Sequence, residues 1–414
     1  MLGIRLTKLK GFILVIAVLY FIVTMKIAFF HGNHTSAVNI VFVKKNNSCN
    51  QPCVNPVSKK QSYAENMLNK DRRVLKAESL EAITVLNKNQ CKNRNFLVYR
   101  CDSSFACGGW ADRQKGIVSS FLMARLTKRV FVIDMVQPCN LDQFILPNIY
   151  DWSICKSYIK SVPHNLTRTF NHIEDYKFAK VVEHFDFQRI WTKHVIFIRF
   201  HTHVIDGLKN HTLAKSRLKW LLNMTNEEAI HLVLNTLFKP NEWILNDTIE
   251  FYTNRIRMKK LVCCHIRTGK NPNMPTDLTP RFGRPNETVL FDFLKKYDNN
   301  WDYFIYVASD SDKVKQSAQN NLTSYVNINR PIVHVDRLGP FGKLKEEACK
   351  GLYTVILEQF ILSLCDEIIL TRSGFGVMAA YMRGDTKGLF MYHPIEKRIV
   401  ATNLTNIQKV FAFL

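Results

Sequence analysis

The residues best suited to chemistry follow a short apolar run at 261–264, which leads directly into His265, Arg267 and Gly269. Four apolar residues bounded by basic ones predict a buried strand. In open α/β sheets, ligands lie outside the carboxyl ends of the strands. An arginine at that position is a rigid, permanently charged fork that matches phosphate oxygens. We therefore predict an anion site at Arg267, with an ordinary surface salt bridge as the alternative.

A glycine-bearing loop precedes a helix earlier in the chain. It reads GGWADR from Gly108 to Arg113, and the predicted helix covers 114–127. Glycines let the backbone approach a ligand, and a helix N-terminus favours anions, but the G-x-G-x-x-G spacing is missing. We predict that Gly108 and Gly109 line an acceptor cleft, with Asp112 as a candidate general base and Arg113 as a candidate anion contact. A tight structural turn is the alternative.

Carboxylates and histidines after two other predicted strands have the spacing of metal ligands. Asp310 and Asp312 form a D-x-D triplet, and carboxylates separated by one residue can share a divalent cation. Acidic caps of the following helix are the competing interpretation, and we favour it. His201 and His203 form H-x-H, but one pair without further ligands indicates a solvated or core pair. We expect no metal.

Two features near the C-terminus predict further ligand contacts. Glu358 lies in an apolar helical stretch, VILEQFILSLCD, so it needs a partner if buried: a base edge of a ligand or a protein cation. Ser373, Gly374 and Phe375 follow a predicted strand and open a helix. Their backbone N–H groups and the Ser373 hydroxyl would cradle a phosphate.

Composition limits the classes of function. The chain has 414 residues, 47% of them hydrophobic, and a formal net charge of +23. This length predicts two domains, and the charge favours an anionic partner. No zinc-finger, homeodomain or RNP signature is present, so we expect no nucleic acid partner.

The N-terminus predicts a membrane anchor. Residues 11–30 are apolar except for Lys26, which suffices for one transmembrane helix, and a short basic segment precedes them. The positive-inside rule then places residues 1–10 in the cytoplasm and the rest in the lumen; a cleaved signal peptide is the alternative. N-x-Ser/Thr acceptors favour the secretory pathway. They lie at Asn33, Asn46, Asn165, Asn210, Asn223, Asn246, Asn286, Asn321 and Asn403.

The 11 cysteines predict several disulfides and at least one free thiol. Cys49 and Cys53 are expected to form a stem disulfide rather than a metal site. Cys263 and Cys264 point to opposite faces of one strand, so we expect them to be buried or to pair elsewhere.

The pattern of elements predicts an α/β fold with two Rossmann-like domains. After a stem at 31–90, which includes a helix at 72–86, we predict an N-terminal domain at 91–255 and a C-terminal domain at 256–414. The predicted strands cover 96–101, 129–135, 194–200, 260–266, 303–308, 332–335 and 367–370. The predicted helices also cover 226–237, 242–252, 352–364 and 377–382.

The motifs together resemble the GT-B fucosyltransferase superfamily, which includes the α1,2-, α1,6-, protein-O- and plant xyloglucan fucosyltransferases. The resemblance is carried by HIRTGK at 265–270, ASD at 308–310 and, most specifically, the stretch 355–384. It covers about Cys91 to Leu414. GGWADR resembles the family's first glycine loop, with Ala111 where a glycine is common. Lys270 departs from the pattern, because several relatives carry an acidic residue or a second arginine nearby.

The resemblance implies a GDP-fucose donor and no essential metal. Arg267 would contact the β-phosphate and His265 the ribose or phosphates. Asp310 and Glu358 would contact ribose or guanine. The diphosphate would lie against Ser373 to Phe375.

The expected protein is a single-pass type II Golgi glycosyltransferase that transfers L-fucose, with inversion, to a hydroxyl of a glycan or glycoprotein. A GT-B enzyme with another donor, a Mn²⁺-dependent GT-A enzyme, and a catalytically silent glycan-binding membrane protein are the alternatives.

Overall fold

Buried parallel strands frame the structure, a computed structural model that describes residues 88–105, 107–173, 176–257, 259–280, 283–333, 335 and 344–407. The strands are β1 (Phe96–Cys101), β2 (Val130–Met135), β3 (Ile145–Pro147), β4 (Thr167–His172), β5 (Val195–Phe200), β6 (Phe238–Pro240), β7 (Lys260–Ile266), β8 (Tyr303–Ser309), β9 (Tyr325–Val326), β10 (Glu367–Leu370), β11 (Leu389–His393) and β12 (Arg398–Ala401). The α-helices are α1 (Trp110–Leu126), α2 (Lys156–Ser161), α3 (Tyr176–Val181), α4 (Phe187–Ile190), α5 (Ile205–Asn210), α6 (Ala214–Arg217), α7 (Lys219–Leu222), α8 (Asn226–Leu237), α9 (Glu242–Glu250), α10 (Glu287–Asp298), α11 (Asp312–Asn321), α12 (Leu344–Ser363) and α13 (Gly374–Arg383).

The first sheet has the strand order β2-β1-β5-β4, and all of its strands are parallel. Strands β1, β2 and β5 are almost entirely apolar and buried, as expected for strands covered on both faces. Helix α1 forms the crossover from β1 to β2. The chain later returns to β5, on the other side of β1, so the carboxyl ends of β1 and β5 flank a topological switch point.

The second sheet has the order β12-β11-β10-β7-β8-β9, and only β12 is antiparallel. Strand β7 is central because its apolar run is buried from residue 261 to residue 266. The chain goes from β7 to β8 and β9 on one side and then places β10 on the other side. A second switch point therefore lies at the carboxyl ends of β7 and β10.

A buried polar junction joins the two sheets. Gln114 of α1 and Gln359 of α12 exchange hydrogen bonds of 2.8 and 2.9 Å, and Nε1 of Trp110 donates to Gln359 at 2.6 Å. His231 of α8 bonds the carbonyl of Tyr381 in α13 at 2.8 Å. The described residues from 88 to 407 belong to one compact unit. The domain boundary between residues 255 and 256 stays a prediction and lies just before β7.

Disulfides confirm the expectation from the cysteine count. Cys263 pairs outside its own strand, and Cys264 is a buried free thiol, as the opposite facing of adjacent strand residues predicted. One bridge, Cys139–Cys349, links the segment after β2 to α12. The bridges are Cys91–Cys155, Cys101–Cys107, Cys139–Cys349 and Cys263–Cys365.

Some predicted elements differ from the observed ones. Helix α1 begins at Trp110 rather than at residue 114, because Gly109 is already an extended residue preceding the first turn; Asp112 and Arg113 therefore lie on the helix. The strand predicted at 332–335 is not formed over 331–333. The position beside β8 is occupied instead by β9, so the later apolar run lacks that partner.

Several predictions lie outside the described residues: the anchor at 11–30, the stem helix at 72–86 and the Cys49–Cys53 bridge. Within the residues that the structure describes, no helix is both long and apolar enough to cross a bilayer.

Candidate active site

The candidate site lies where the two switch points meet. The loop after β1 leads into α1, and the loop after β10 leads into α13. A β-carbon at Gly374, the first residue of α13, would lie 3.4 Å from Cβ of Ala111 in the first turn of α1. The N-termini of the two helices therefore approach each other, and both face the crevices in which α/β folds bind ligands.

Arg267 follows β7 and is held between two buried carboxylates. Its guanidinium donates to Oδ2 of Asp310 through Nη1 and to Oδ2 of Asp277 through Nη2. Its backbone N–H donates to the hydroxyl of Thr371 at 2.8 Å. The side chain is 24% exposed, whereas the two carboxylates are 7% and 8% exposed. The guanidinium is thus fixed in orientation, and one side of it still faces solvent.

Asp310 organises the loop that follows Arg267. Its Oδ1 accepts from the backbone N–H and the hydroxyl of Thr268 at 2.8 and 2.9 Å, and its Oδ2 accepts from the N–H of Gly269 at 2.8 Å. Gly269 has φ +70°, and a β-carbon there would lie 2.4 Å from the carbonyl oxygen of Leu278, so only glycine fits. Asp310 thus supports Arg267 and its loop, and its contact with ribose or guanine stays a prediction.

His265 is a buried, neutral imidazole at the end of β7. Burial lowers its pKa from 6.5 to about 4; the charge of Asp310 opposes this shift and that of Arg267 adds to it. Its ring lies 5.3 Å from the ring of Phe375, and its Nδ1 has no hydrogen-bond partner among the described residues. A β-carbon at Gly376 would lie 2.9 Å from that Nδ1. His265 therefore packs against the first turn of α13.

Ser373 caps α13 at the end of the β10 loop. Its hydroxyl accepts from the N–H of Phe375 at 3.3 Å. Gly374 and Gly376 have no side chains, so among the first three residues of α13 only Phe375 carries one. The predicted phosphate cradle thus has the geometry of a capped helix N-terminus, and its ligand remains a prediction.

Glu358 has a protein cation as its partner, the second of the two possibilities raised by its apolar surroundings. Its Oε1 accepts from Nζ of Lys315 at 3.2 Å and from the hydroxyl of Tyr306 at 3.1 Å. Both members of the ion pair are nearly buried. Burial, and secondarily the charge of Glu358, raises the pKa of the Tyr306 hydroxyl well above its usual value. Glu358 thus joins α12 to α11, and its contact with ribose or guanine stays a prediction.

The first glycine loop is shaped by packing. Gly108 has φ +76°, and a β-carbon there would lie 2.8 Å from Cε1 of His201, so a larger residue would displace the imidazole. Arg113 is 1% exposed and donates to the carbonyls of Gly108 and Gln137 at 2.9 and 2.6 Å. Arg113 was predicted to contact an anion; its burial instead makes it the residue that holds this loop.

Asp112 lies in the first turn of α1 and is 44% exposed. Its Oδ1 accepts from Nζ of Lys115 at 2.9 Å. The carboxylate is therefore accessible to an acceptor hydroxyl, as a general base must be, and its role as base remains a prediction.

The D-x-D and H-x-H pairs show no metal-site geometry. Asp310 is occupied by Arg267 and its loop, whereas Asp312 begins α11 and its carboxylate accepts from Asn273 at 2.6 Å. Across the described ranges, no group of three or more His, Cys, Asp or Glu side chains is placed to hold a metal ion.

Sequence reasoning missed three residues that shape the site. Asp277 is ten residues after Arg267 in an irregular loop, and no periodicity marks it. Thr371 accepts from the N–H of Arg267 and donates to the carbonyl of His265 at 3.0 Å, which joins the ends of β7 and β10. Lys115 could have been found from its i,i+3 spacing to Asp112 on one helix face.

Comparison with known proteins gave matches among solved structures alone. No protein-family model matches the chain, and no curated protein matches it. Arabidopsis thaliana FUT1, solved as a mutant in complex with GDP, matches with a TM-score of 0.49 and 13% identity over 81% of this chain and 78% of that one.

Two further matches have lower scores. NodZ α-1,6-fucosyltransferase, co-crystallised with GDP, has a TM-score of 0.47 and 13% identity over 75% of this chain and 98% of its own; the same enzyme from Bradyrhizobium is also matched. POFUT1 in its apo form has a TM-score of 0.39 and 11% identity over 72% and 97% of the two chains. The solved structures that this chain resembles are those of fucosyltransferases.

Proposed function

We propose that this chain is a glycosyltransferase that uses GDP-fucose and transfers L-fucose with inversion to a hydroxyl of a glycan or glycoprotein. The observation that carries the proposal is the meeting of two α/β switch points, with Arg267 at the end of β7 and the capped N-terminus of α13 at the end of β10. Such a crevice suits a nucleotide diphosphate. The identity of the donor rests on the motif resemblance at 265–270, 308–310 and 355–384.

In the proposed reaction, the acceptor oxygen attacks the anomeric carbon of fucose from the face opposite to the diphosphate. The bond from that carbon to the phosphate oxygen breaks, and its electron pair leaves with GDP. Arg267 stabilises the negative charge that develops on the departing diphosphate. The proton of the acceptor hydroxyl passes to a base, for which Asp112 is the candidate.

The preorganisation of Arg267 fits this role. A guanidinium held by Asp277 and Asp310 does not need to search for its position when charge develops, so little reorganisation opposes the reaction. His265 beside the first turn of α13 is neutral and contributes no charge to the stabilisation of the leaving group, so this role rests on Arg267.

We also propose a single-pass type II location in the Golgi membrane, with the catalytic part in the lumen. The apolar segment at 11–30 and the preceding basic residues support it. Four disulfides within the described residues favour an oxidising compartment.

The test is a transfer screen with the full-length chain in detergent on a glycan array. GDP-fucose, GDP-mannose and UDP-sugars are compared, each with and without EDTA. Transfer from GDP-fucose that is insensitive to EDTA supports the proposal. EDTA-sensitive transfer from a UDP-sugar would overturn it in favour of a metal-dependent enzyme, and glycan binding without transfer from any donor would favour a silent lectin-like protein.

A further inference from the structure

Lys115 reaches from the first sheet's helix to the second sheet's helix. It lies on α1, and the position of a β-carbon at Gly374 is 3.5 Å from its Nζ. Its hydrogen-bond partner is Asp112, whose Oδ1 is 2.9 Å from Nζ. The ammonium group therefore lies at the first residue of α13, on the opposite side of the cleft from β7.

This placement is electrostatically unfavourable for the protein alone. A helix N-terminus carries about half a positive charge, and an ammonium group beside it is repelled. Asp112 compensates weakly, because its carboxylate is 44% exposed and exposed ion pairs contribute little. Arg267 lies near the same sheet edge, where its backbone N–H donates to the residue after β10, but Asp277 and Asp310 offset its charge. A multiply charged anion between these groups would remove the repulsion.

Packing limits where such an anion can lie. The imidazole of His265 packs against α13 at Gly376. A β-carbon added at Gly376 would lie 2.9 Å from its Nδ1. At Gly374 the nearest atoms belong to α1. An anion at the first N–H groups of α13 would therefore lie close to the Lys115 ammonium group, whose Nζ is 3.5 Å from the position of a β-carbon at Gly374.

We propose that Lys115 binds the diphosphate of the donor across the cleft from Arg267, so that the anion site is completed by both sheets. The inference rests on the proposed function and extends it by one residue. As the bond from the anomeric carbon to the phosphate oxygen breaks, Lys115 and Arg267 share the charge on the departing diphosphate. The proton of the acceptor hydroxyl goes to the base, and Lys115 keeps its own protons.

Calorimetric titration with inorganic pyrophosphate and with GDP tests the inference on the full-length chain in detergent. We expect Lys115→Gln to weaken both by about tenfold or more, the usual scale for a hydrogen bond to a charged group, and Lys115→Arg to retain most of the affinity. Lys156→Gln is the matched control. Lys156 resembles Lys115 in exposure (21% against 25%). Each forms an ion pair with a half-exposed aspartate, Asp142 for Lys156 and Asp112 for Lys115.

A purely structural role for Lys115 predicts a different pattern. It would lower the melting temperature of Lys115→Gln without ligand and leave pyrophosphate affinity close to that of the wild type, which would overturn the inference. Wild-type protein that binds pyrophosphate but prefers UDP to GDP would overturn the proposed donor and leave the role of Lys115 intact. Wild-type protein that binds neither pyrophosphate nor GDP would overturn both.

Discussion

At the scale of single residues, the site is defined by one arginine and two buried carboxylates. Asp277 and Asp310 together outweigh the charge of Arg267, so without a ligand this cluster is negative. The proposed diphosphate site therefore needs positive groups outside the cluster as well, and the α13 N-terminus and Lys115 are the proposed ones. The clamp gives Arg267 orientation rather than an excess of positive charge.

Replacing Arg267 by lysine keeps the charge and removes the fork. The single ammonium group of lysine cannot bond both carboxylates, as the planar guanidinium of arginine does. One buried carboxylate then loses its partner, and the leaving group loses a hydrogen-bond donor held in a fixed position. We expect kcat for fucose transfer to fall by about a hundredfold or more. Arg398→Lys, at an arginine that is 65% exposed, should leave kcat unchanged. Equal activity of Arg267→Lys and wild type would contradict the assigned role.

Asp277 acts through Arg267, as a positioning residue. Asp277→Asn keeps the shape and weakens one side of the clamp, so we expect kcat/KM for donor hydrolysis to fall by about tenfold to a hundredfold with a stable fold. Asp292→Asn, at an exposed carboxylate paired with Lys295, is the control. If Asp277→Asn lowers the melting temperature but not kcat/KM, Asp277 is structural only.

His265 links stability to pH. The unfolded imidazole binds a proton near pH 6.5, whereas burial delays protonation in the folded protein to about pH 4. Stability due to this residue is complete above pH 6.5 and is lost as pH falls from 6.5 to 4, by roughly 3 kcal/mol in all. Chemical unfolding at several pH values should show a shallower slope for His265→Asn than for the wild type. His184→Asn, 82% exposed, should follow the wild type; parallel curves for His265→Asn would refute the assignment.

The sequence identified Arg267 and His265 because a strand end is a local pattern. It could not identify Asp277, because that contact depends on the irregular path of residues 268–280 back over Arg267. It also left the partner of Glu358 open between a ligand and a protein cation, because the apolar stretch around it shows the need for a partner but not which helix brings one. Lys315 supplies that partner from α11.

At the scale of elements, the approach of α1 to β5 positions the first glycine loop. A β-carbon at Gly116 would lie 1.8 Å from the carbonyl oxygen of Phe200, so backbone would have to move. We expect Gly116→Ala to lower the free energy of unfolding by several kcal/mol, more than the ~1–3 kcal/mol typical of overpacking, because the clash is with backbone. Denaturant unfolding measures this difference.

Gly109→Ala is the matched control for that change. The nearest atom to a β-carbon at Gly109 is Oδ2 of Asp112 at 3.7 Å, an ordinary contact, and its φ is −64°. Its unfolding free energy should stay within about 1 kcal/mol of the wild type. Similar losses in both variants would mean that α1 is not held at Gly116.

Most strands with a buried apolar run were predicted, including β2 at the edge of the first sheet, whereas β9 at the edge of the second sheet was not. The strands β1, β7 and β10 could be predicted from their apolar sequences, because both of their faces are buried. The apolar run at 332–335 has strand composition, but β9 pairs with β8 and occupies that edge of the sheet. Several segments compete to pair with the edge of a sheet, and tertiary packing decides which of them pairs. The composition of a segment does not reveal this outcome.

At the scale of the whole molecule, Cys139–Cys349 ties the segment after β2 to α12 across 210 residues of sequence. In the chain-entropy picture a loop of this length stabilises the fold by about 5 kcal/mol. Cys101–Cys107 has a sequence separation of only 6 and should contribute about 2 kcal/mol. We expect the Cys139→Ser/Cys349→Ser variant to unfold at lower denaturant than Cys101→Ser/Cys107→Ser. The reverse order would show that strain or local packing governs both.

The two-sheet organisation could be predicted from the sequence, but the way in which the sheets join could not. The pairing of Gln114 with Gln359 and the Cys139–Cys349 bridge connect residues that no local pattern relates. The glutamine pair holds α1 against α12, and the bridge ties the segment after β2 to α12.

The same bridge can form only after a long interval of synthesis, because its two cysteines are far apart in the sequence. At ribosomal rates of about 5–20 residues per second, Cys139 waits about 10–40 s for Cys349 to emerge. Cys91, Cys101, Cys107 and Cys155 are all synthesised before Cys349, and each can form a non-native disulfide with Cys139. Correct maturation therefore depends on rapid closure of the early pairs or on an isomerase that reshuffles mistakes.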